Sequence, residues 1–343
     1  MLPDASDDPP DGPPEDPPKG PPTLSAPPRI GIFDSGIGGL SVLRSVLRHL
    51  PQAHCHYIAD ARFTPWGDRP AAWVAARCGQ LSAHLLAQHC DVVLVACNTA
   101  TTQAIAALRR RWPGQPFVGI EPGIKPAAGA TRNGRVAVLA TPGTMRSPRL
   151  AHLVHAHARQ VSVLRLPCPG LAEAIERAHA DPAALARQLD AIAHTLRAAD
   201  VDTVVLGCTH YPLVADALGQ RLGPAVRVID TADAVARRVA SVLSMRLPLA
   251  ASSVAHPATG GATPGLTSGG ARQEIGPALP AATYRLPAPA ARLASTGMPS
   301  ALQEAAWRWL GLDLPVAHLD LPDPCPAPAA RKGSRLSSPP LRG

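Results

Sequence analysis

The sequence predicts an α/β protein of two similar, doubly wound parallel-sheet domains related by internal pseudo-symmetry, with the active site in the cleft between them. Three observations carry this prediction. Short runs that are apolar on both faces alternate with segments of helical periodicity, the pattern of parallel sheets covered by helices on both sides. The strand–helix series restarts near residue 135. Landmark residues then recur at nearly constant offsets between the two halves, as an internal duplication requires.

Taken in order, Arg29–Phe33 (RIGIF) is a strand that runs into the turn Asp34-Ser35-Gly36-Ile37-Gly38-Gly39 and a helix over Leu40–Leu50. Cys55–Ile58 is a second strand, and Ala71–His89 has helical periodicity with Leu81, Leu85 and Leu86 on one face. Asp91–Ala96 (DVVLVA) is a continuously apolar strand, after which Cys97-Asn98-Thr99 opens a helix through Arg111. Phe117–Ile120 is the next strand. The order restarts with a strand at Arg135–Ala140, a helix from Met145, a strand at Val161–Leu166 and helices between Gly170 and Ala199. A strand at Thr203–Leu206 follows, and Cys208 opens another helix.

The repeat is clearest where Asp91-Val-Val-Leu-Val-Ala-Cys97-Asn-Thr is set against Asp202-Thr-Val-Val-Leu-Gly-Cys208-Thr-His. In both, an Asp precedes a Cys across one apolar strand, and a polar turn containing Thr follows. Earlier in each half, the first strand ends in a small polar turn, Asp34-Ser35-Gly36 in one and Thr141-Pro142-Gly143-Thr144 in the other. Glycine-rich turns are common to all such domains, so the paired cysteines carry more weight than the paired turns.

Composition narrows the function classes. Proline makes up 40 of 343 residues, more than twice the usual ~5%. The excess is concentrated in residues 1–28, where six acidic residues and one lysine accompany it, in 313–343, and around 248–282, which is built of Ala, Gly, Ser, Thr and Pro. Such stretches bury too little apolar area to offset their ordering entropy, and they are expected to be two disordered tails and a low-complexity insertion. Residues 1–28 also lack the basic start and apolar stretch of a signal peptide. No apolar run reaches the ~18 residues of a membrane span. The seven cysteines have no regular spacing, which points to reduced thiols rather than a disulfide framework. The net charge of +8 comes mostly from scattered arginines with few aromatics, so no nucleic-acid surface is expected. His54-Cys55-His56, His84/His89-Cys90 and His152/His155/His157 lack the paired spacing of a structural zinc site, and no metal is expected.

Ligands of open parallel sheets sit beyond the carboxyl ends of the strands. Asp34, Ser35, Asn98, Thr99, Thr141, Thr144, Thr209 and His210 are all placed there, together with both cysteines. Two domains facing each other would direct Cys97 and Cys208 into one cleft from opposite sides. A thiol at a helix start, near a histidine or carboxylate, has a tunable acidity. Two thiols flanking one carbon acid suit stereoinversion: one removes a proton from one face and the other returns a proton to the opposite face. Backbone donors at the helix starts would hold a carboxylate. A pyridoxal enzyme needs a Schiff-base lysine, whereas the chain has only Lys19, Lys125 and Lys332, two of them in the tails. No cofactor is therefore expected, and Gly36, Gly38 and Gly39 lack the spacing of a dinucleotide fingerprint.

Several segments resemble the glutamate racemases of the cofactor-independent aspartate/glutamate racemase superfamily: IGIFDSGIGGLSVL (30–43), YIADARFTPWGDR (57–69), VLVACNTATTQAI (93–105), VGIEPGIKPA (118–127), VAVLATPGTMRS (136–147), CPGLAEAIE (168–176), VVLGCTHYPLV (204–214) and STGMPSALQEAAWRWLG (295–311). The resemblance spans about residues 29–311. It implies two flavodoxin-like domains, with Cys97 and Cys208 as the acid/base thiols. Asp34, His210 and Glu176 would assist them. The substrate would be held by Asp34, Ser35, Pro65, Trp66, Gly67, Asn98, Thr99, Thr141, Thr209 and His210. Where the family has Pro-Tyr-Gly, this chain has Pro65-Trp66-Gly67, so a phenol that can accept is replaced by an indole N–H that can only donate.

The expected first domain is discontinuous, comprising 29–122, 229–247 and 283–312, and the second covers 123–228. The implied activity interconverts L- and D-glutamate by two-thiol 1,1-proton transfer without cofactor, in the cytoplasm, supplying D-glutamate for peptidoglycan. A homodimer is implied too. Binding to DNA gyrase is a property of some family members that no residue here argues for. An aspartate, hydantoin or other racemase, a decarboxylase using one of the thiols, and a Cys-His-Asp hydrolase remain rivals. So does a non-catalytic protein-binding paralogue.

Overall fold

The computed structural model describes residues 27–178, 180–246 and 291–324. The expected insertion at 248–282, residues 1–26 of the first tail, 283–290 of the returning segment and 325–343 of the second tail lie outside the described residues.

The first half runs β1 (Arg29–Asp34), α1 (Leu40–His49), β2 (His54–Ala59), α2 (Ala71–Ala87), β3 (Val92–Val95), α3 (Asn98–Arg111) and β4 (Phe117–Gly119). The second runs α4 (Ile124–Ala130), β5 (Arg135–Ala140), α5 (Pro142–Met145), α6 (Pro148–His157), β6 (Ser162–Pro167), α7 (Leu171–Glu176), α8 (Pro182–Ala198), β7 (Thr203–Leu206), α9 (Ala215–Leu222) and β8 (Arg227–Ile229). The chain then adds α10 (Ala232–Arg246), β9 (Ala291–Ser295), α11 (Pro299–Leu310) and β10 (Val316–His318).

All strand pairs are parallel, in two separate sheets ordered β10-β9-β2-β1-β3-β4 and β6-β5-β7-β8. The repeat is therefore topological as well as sequential: β2-β1-β3-β4 and β6-β5-β7-β8 have the same order. The register repeats too, since the pairs Ile30–Val92 and Phe33–Val95 correspond to Val136–Thr203 and Leu139–Leu206. The first sheet alone is extended, by β9 and β10 on the β2 edge. α10 packs on α1, β3 and β4, and α11 packs on α1 and β9.

The unbroken apolar runs follow from burial on both faces. In the first sheet Ile30, Ile32, Val92 and Leu94 join one core with α1, α10 and α11, while Phe33, Val93 and Val95 join a second with α2 and α3. In the second sheet Ala137, Leu139, Val204 and Leu206 face one core, and Val136, Val138 and Val205 the other. Truncating one such residue, for example Leu94→Ala, costs about 2–5 kcal/mol through lost transfer energy and the residual cavity.

Three expectations need correction. No helix starts at Met145, which ends the short α5; the next helix starts at Pro148, where the Ser147 side chain accepts the Leu150 N–H as its cap. Cys208 does not open an α-helix directly: a 3-10 turn at Tyr211–Val214, containing Pro212, precedes α9. The sequence places the second tail from residue 313, yet Val316–His318 forms strand β10 and the chain is described to Pro324. Proline composition misled there, since an edge strand and the extended segment beyond it tolerate proline.

Candidate active site

The carboxyl ends of both sheets converge on one cavity. Its walls are Ser35, Thr64–Gly67 and Cys97–Thr99 from the first half, and Thr141, Ala172 and Cys208–His210 from the second. Eleven of the thirteen lining residues (all but Thr64 and Ala172) were expected at the site. The free volume inside is only about 20 Å³, room for about one water, so the cavity as it stands is narrow. A larger hollow of about 400 Å³ lies at the opposite end of the second sheet, among Arg132, Arg197, Asp200 and Asp202. It holds no thiol, and both of its arginines already donate to backbone carbonyls.

Cys97 is the N-cap of α3 and its sulfur accepts the Ala100 N–H at 3.5 Å. The thiol donates to the Ser35 hydroxyl at 3.6 Å. Burial, then the nearby Asp34 carboxylate, push the Cys97 thiol far above its ordinary range, against the Ala100 N–H and Ser35. A helix N-terminus stabilises an anion by about 0.3–1 kcal/mol, whereas each pKa unit of desolvation costs about 1.4 kcal/mol. Burial therefore wins, and Cys97 rests as the neutral thiol.

Cys208 has different company. Its sulfur faces Nδ1 of His210 at 3.8 Å, and Nε2 of the same ring meets Oε1 of Glu176 at 2.8 Å. Burial works to lower the His210 pKa, but the Cys208 sulfur and the Glu176 carboxylate outweigh it and hold the imidazolium well above its ordinary range. Burial also acts on Glu176, yet His210 and the Ile37 N–H at 3.3 Å keep its carboxyl below the usual range. A charged imidazolium thus stands beside the second sulfur and is itself anchored.

Asp34 and Glu176 do not line the cavity. Asp34 is completely buried and accepts from the Gly39 N–H at 2.5 Å and from the Ser35 and Thr209 hydroxyls at 3.4 Å each. Burial raises its pKa, with His210 and the Gly39 N–H pulling the other way. It therefore reaches Cys97 through Ser35, as Glu176 reaches Cys208 through His210. Both amide atoms of Asn98 and the indole Nε1 of Trp66 are buried and have no hydrogen-bond partner among the described residues. Because native structures rarely leave such atoms unpaired, a polar ligand is the natural partner for Asn98 at the cavity wall.

Glycines let the halves touch. A methyl on Gly36 would lie 2.1 Å from Glu176, one on Gly38 2.5 Å from His210, and one on Gly143 2.4 Å from the Gly67 carbonyl. The seam is also polar: Thr99 Oγ1 meets Thr141 Oγ1 at 3.1 Å and Thr144 Oγ1 at 3.5 Å, and Ser41 donates to the Thr209 carbonyl at 3.2 Å. Tyr57, whose hydroxyl donates to the Gly36 carbonyl at 2.8 Å, is not signalled by the sequence. The sequence does signal Thr144, three residues after Thr141, whose side chain caps the Thr144 N–H.

The repeated Asp of the duplication is structural. Asp91 accepts the Arg29 N–H at 2.7 Å, and Asp202 accepts the Arg132 and Asn133 N–H groups at 2.6 and 2.8 Å. Each fastens the strand entry at the end of its sheet away from the cysteines. The six described cysteines are all free. His56 and His84 both hydrogen-bond Gln88, and among the described residues no three His, Cys, Asp or Glu side chains gather as a metal site.

With this geometry, the sequence matches the model of the Asp/Glu/hydantoin racemase family over residues 40–239. The chain belongs to that family. Among the family's members, the glutamate racemase of Pseudomonas paraeruginosa is 45% identical over 68% of this chain and 87% of its own length. Glutamate racemase isoform RacE1 of Bacillus anthracis superposes with a TM-score of 0.68 at 28% identity, covering 86% of this chain and 98% of the other. The Escherichia coli glutamate racemase, solved with L-glutamate and an activator, UDP-MurNAc-Ala, gives 0.65 at 29% identity over 85% of this chain and 98% of that one. Membership agrees with the two-sheet architecture and makes the protein a racemase. Among the described residues, no helix is long and apolar enough to cross a membrane.

Proposed function

We propose that the protein is a glutamate racemase that inverts Cα by 1,1-proton transfer between Cys97 and Cys208. The observation that carries this is the pair of thiols at equivalent turns of two equivalent sheets, both lining one cavity. Its relatives named above support glutamate as the substrate.

In the reaction, one sulfur in its thiolate form takes the Cα proton, and the electron pair left on Cα delocalises into the adjacent carboxylate. The other thiol then gives its proton to the opposite face and becomes the thiolate. The His210 imidazolium, held by Glu176, stabilises negative charge at Cys208. Asp34 and Ser35 take the corresponding place beside Cys97. Asn98, Thr99, Thr141 and Thr209, with Ser35 and the Pro65-Trp66-Gly67 wall, hold the substrate's polar groups. Closure of the glycine seam excludes water and strengthens these interactions.

The same reading places the enzyme in the cytoplasm as a homodimer, with D-glutamate feeding peptidoglycan synthesis. It is tested by incubating purified protein, without added cofactor, with each enantiomer of glutamate and following optical rotation. Loss of rotation from both sides to the racemate is expected. Unchanged rotation with glutamate, or faster inversion of aspartate, overturns it.

A further inference from the structure

The Thr64–Gly67 wall is braced from behind by the far end of the described chain. Trp73, on α2, meets Trp66 edge-on with centroids 5.8 Å apart and Phe63 at 5.6 Å. Its indole Nε1 donates to Asp323 at 2.8 Å. One helical turn on, Arg77 is fully buried and grips Asp60, the residue before the 3-10 turn Ala61–Phe63 that leads to the wall, at 2.6 and 3.0 Å. The remaining guanidinium nitrogen donates to the carbonyls of Pro322 at 2.7 Å and Leu321 at 3.4 Å. A buried ion pair needs its leftover donors satisfied, and for Arg77 residues 321–322 provide that service together with Gln80. The segment is seated by the Leu319 N–H on the Ser295 carbonyl at 2.8 Å, and Leu321 packs on the core that contains both Trp66 and Cys97.

We propose that residues 319–323 are a positioning strap for the substrate cavity, acting through Trp73 and Arg77 on the wall that carries Trp66. This rests on the glutamate racemase reading for its kinetic consequence, though not for its structural one. The strap touches neither thiol, so it sets how well the closed cavity fits the substrate rather than the proton transfer itself. Its positioning residues, Trp73 and Arg77 on α2, are remote in sequence from the 321–323 segment they contact.

The test uses the full-length chain with the double substitution Leu321→Ser/Asp323→Ala, which lifts the strap, and Asp323→Asn, which keeps an acceptor oxygen for Trp73. The double variant is expected to raise KM for glutamate about fivefold or more while kcat stays within about twofold. Asp323→Asn is expected to match the wild type. Amide exchange over residues 61–67, measured by mass spectrometry without substrate, is expected to quicken in the double variant alone. Unchanged exchange there overturns the strap whether or not the protein acts on glutamate. An unchanged KM, or equal losses in kcat and KM accompanied by quickened exchange throughout the first sheet, overturns it as well. A wild type inactive on glutamate, with exchange quickened locally in the variant, refutes the functional reading and leaves the strap standing.

Discussion

Cys97 and Cys208 occupy the same station in two copies of one fold, each just past the third strand of its half, but their surroundings differ. Cys97 caps a fourteen-residue helix and sits near a buried carboxylate. Cys208 precedes a 3-10 turn and faces an imidazolium anchored by Glu176. The backbone supplies symmetry, and the neighbours supply opposite charge. A proton relay across one carbon is served by both: matched positions so that each sulfur addresses one face, and unmatched neighbours that stabilise charge differently on the two sides.

The largest expected effect comes from removing either partner. Cys97→Ser and Cys208→Ser should each cut racemisation about a thousandfold or more, because a hydroxyl cannot exchange the Cα proton as a thiol does. Each variant should retain Cα hydrogen exchange with solvent for one enantiomer only, and the two variants should retain opposite ones. Proton NMR in heavy water reads this directly.

Next come the assistants. Asp34→Asn and His210→Asn should each lower kcat/KM about a hundredfold. Enantiomers have equal free energy, so kcat/KM must fall equally in both directions whichever side is damaged. The asymmetry appears instead in primary isotope effects with Cα-deuterated substrates. Asp34→Asn should raise the effect for the enantiomer deprotonated at Cys97 and lower it for the other, and His210→Asn should do the reverse. Identical isotope effects for the two variants would remove the contrast between the two turns.

Smaller still is the seam. Gly143→Ala puts a methyl against the Gly67 carbonyl, and holding the halves ajar should raise KM for glutamate about tenfold while leaving melting temperature nearly unchanged. Steady-state kinetics beside a melting curve checks it.

The smallest effect separates the two structural aspartates. Burial works against Asp202, but hydrogen bonds from Thr131, Asn133 and Arg132 hold its carboxyl at about 2, below the ordinary 3.8. A depressed folded-state pKa stabilises fully above the unfolded value. Its contribution is therefore present above about pH 4 and lost as pH falls through about 2. Asp202→Asn should cost about 1 kcal/mol at neutral pH and flatten the acid limb of the stability curve. Asp91→Asn, whose amide oxygen can still accept the one bond made there by the Arg29 N–H, should do less. Denaturant melts between pH 2 and 7 measure both.

These contrasts also mark what was legible beforehand. Strands such as Val92–Val95 and Thr203–Leu206 were readable because burial on both faces leaves no polar position to confuse the period. The cleft was readable because parallel sheets put their ligands beyond the carboxyl ends, where Cys97, Asn98, Cys208 and His210 stand. Glu176 and Trp66 came from family resemblance, since neither spacing nor periodicity singles them out. What stayed hidden depends on contacts distant in sequence. The Arg77–Asp60 pair needs carbonyls from residues 321–322, and proline composition disguised that segment as a tail. The role of Gly36 and Gly38 as a seam likewise appears only when Glu176 and His210 arrive from the other half.

The central claim is that two thiols in unlike settings exchange one proton across one carbon. The measurement that tests it most directly is proton NMR of L- and D-glutamate incubated separately with the enzyme in heavy water, without cofactor. The account predicts that early product of the opposite configuration carries deuterium at Cα, because the returning proton comes from a second, solvent-equilibrated thiol. Product that retains the original Cα proton would point to a single base working on both faces and would contradict the two-thiol mechanism.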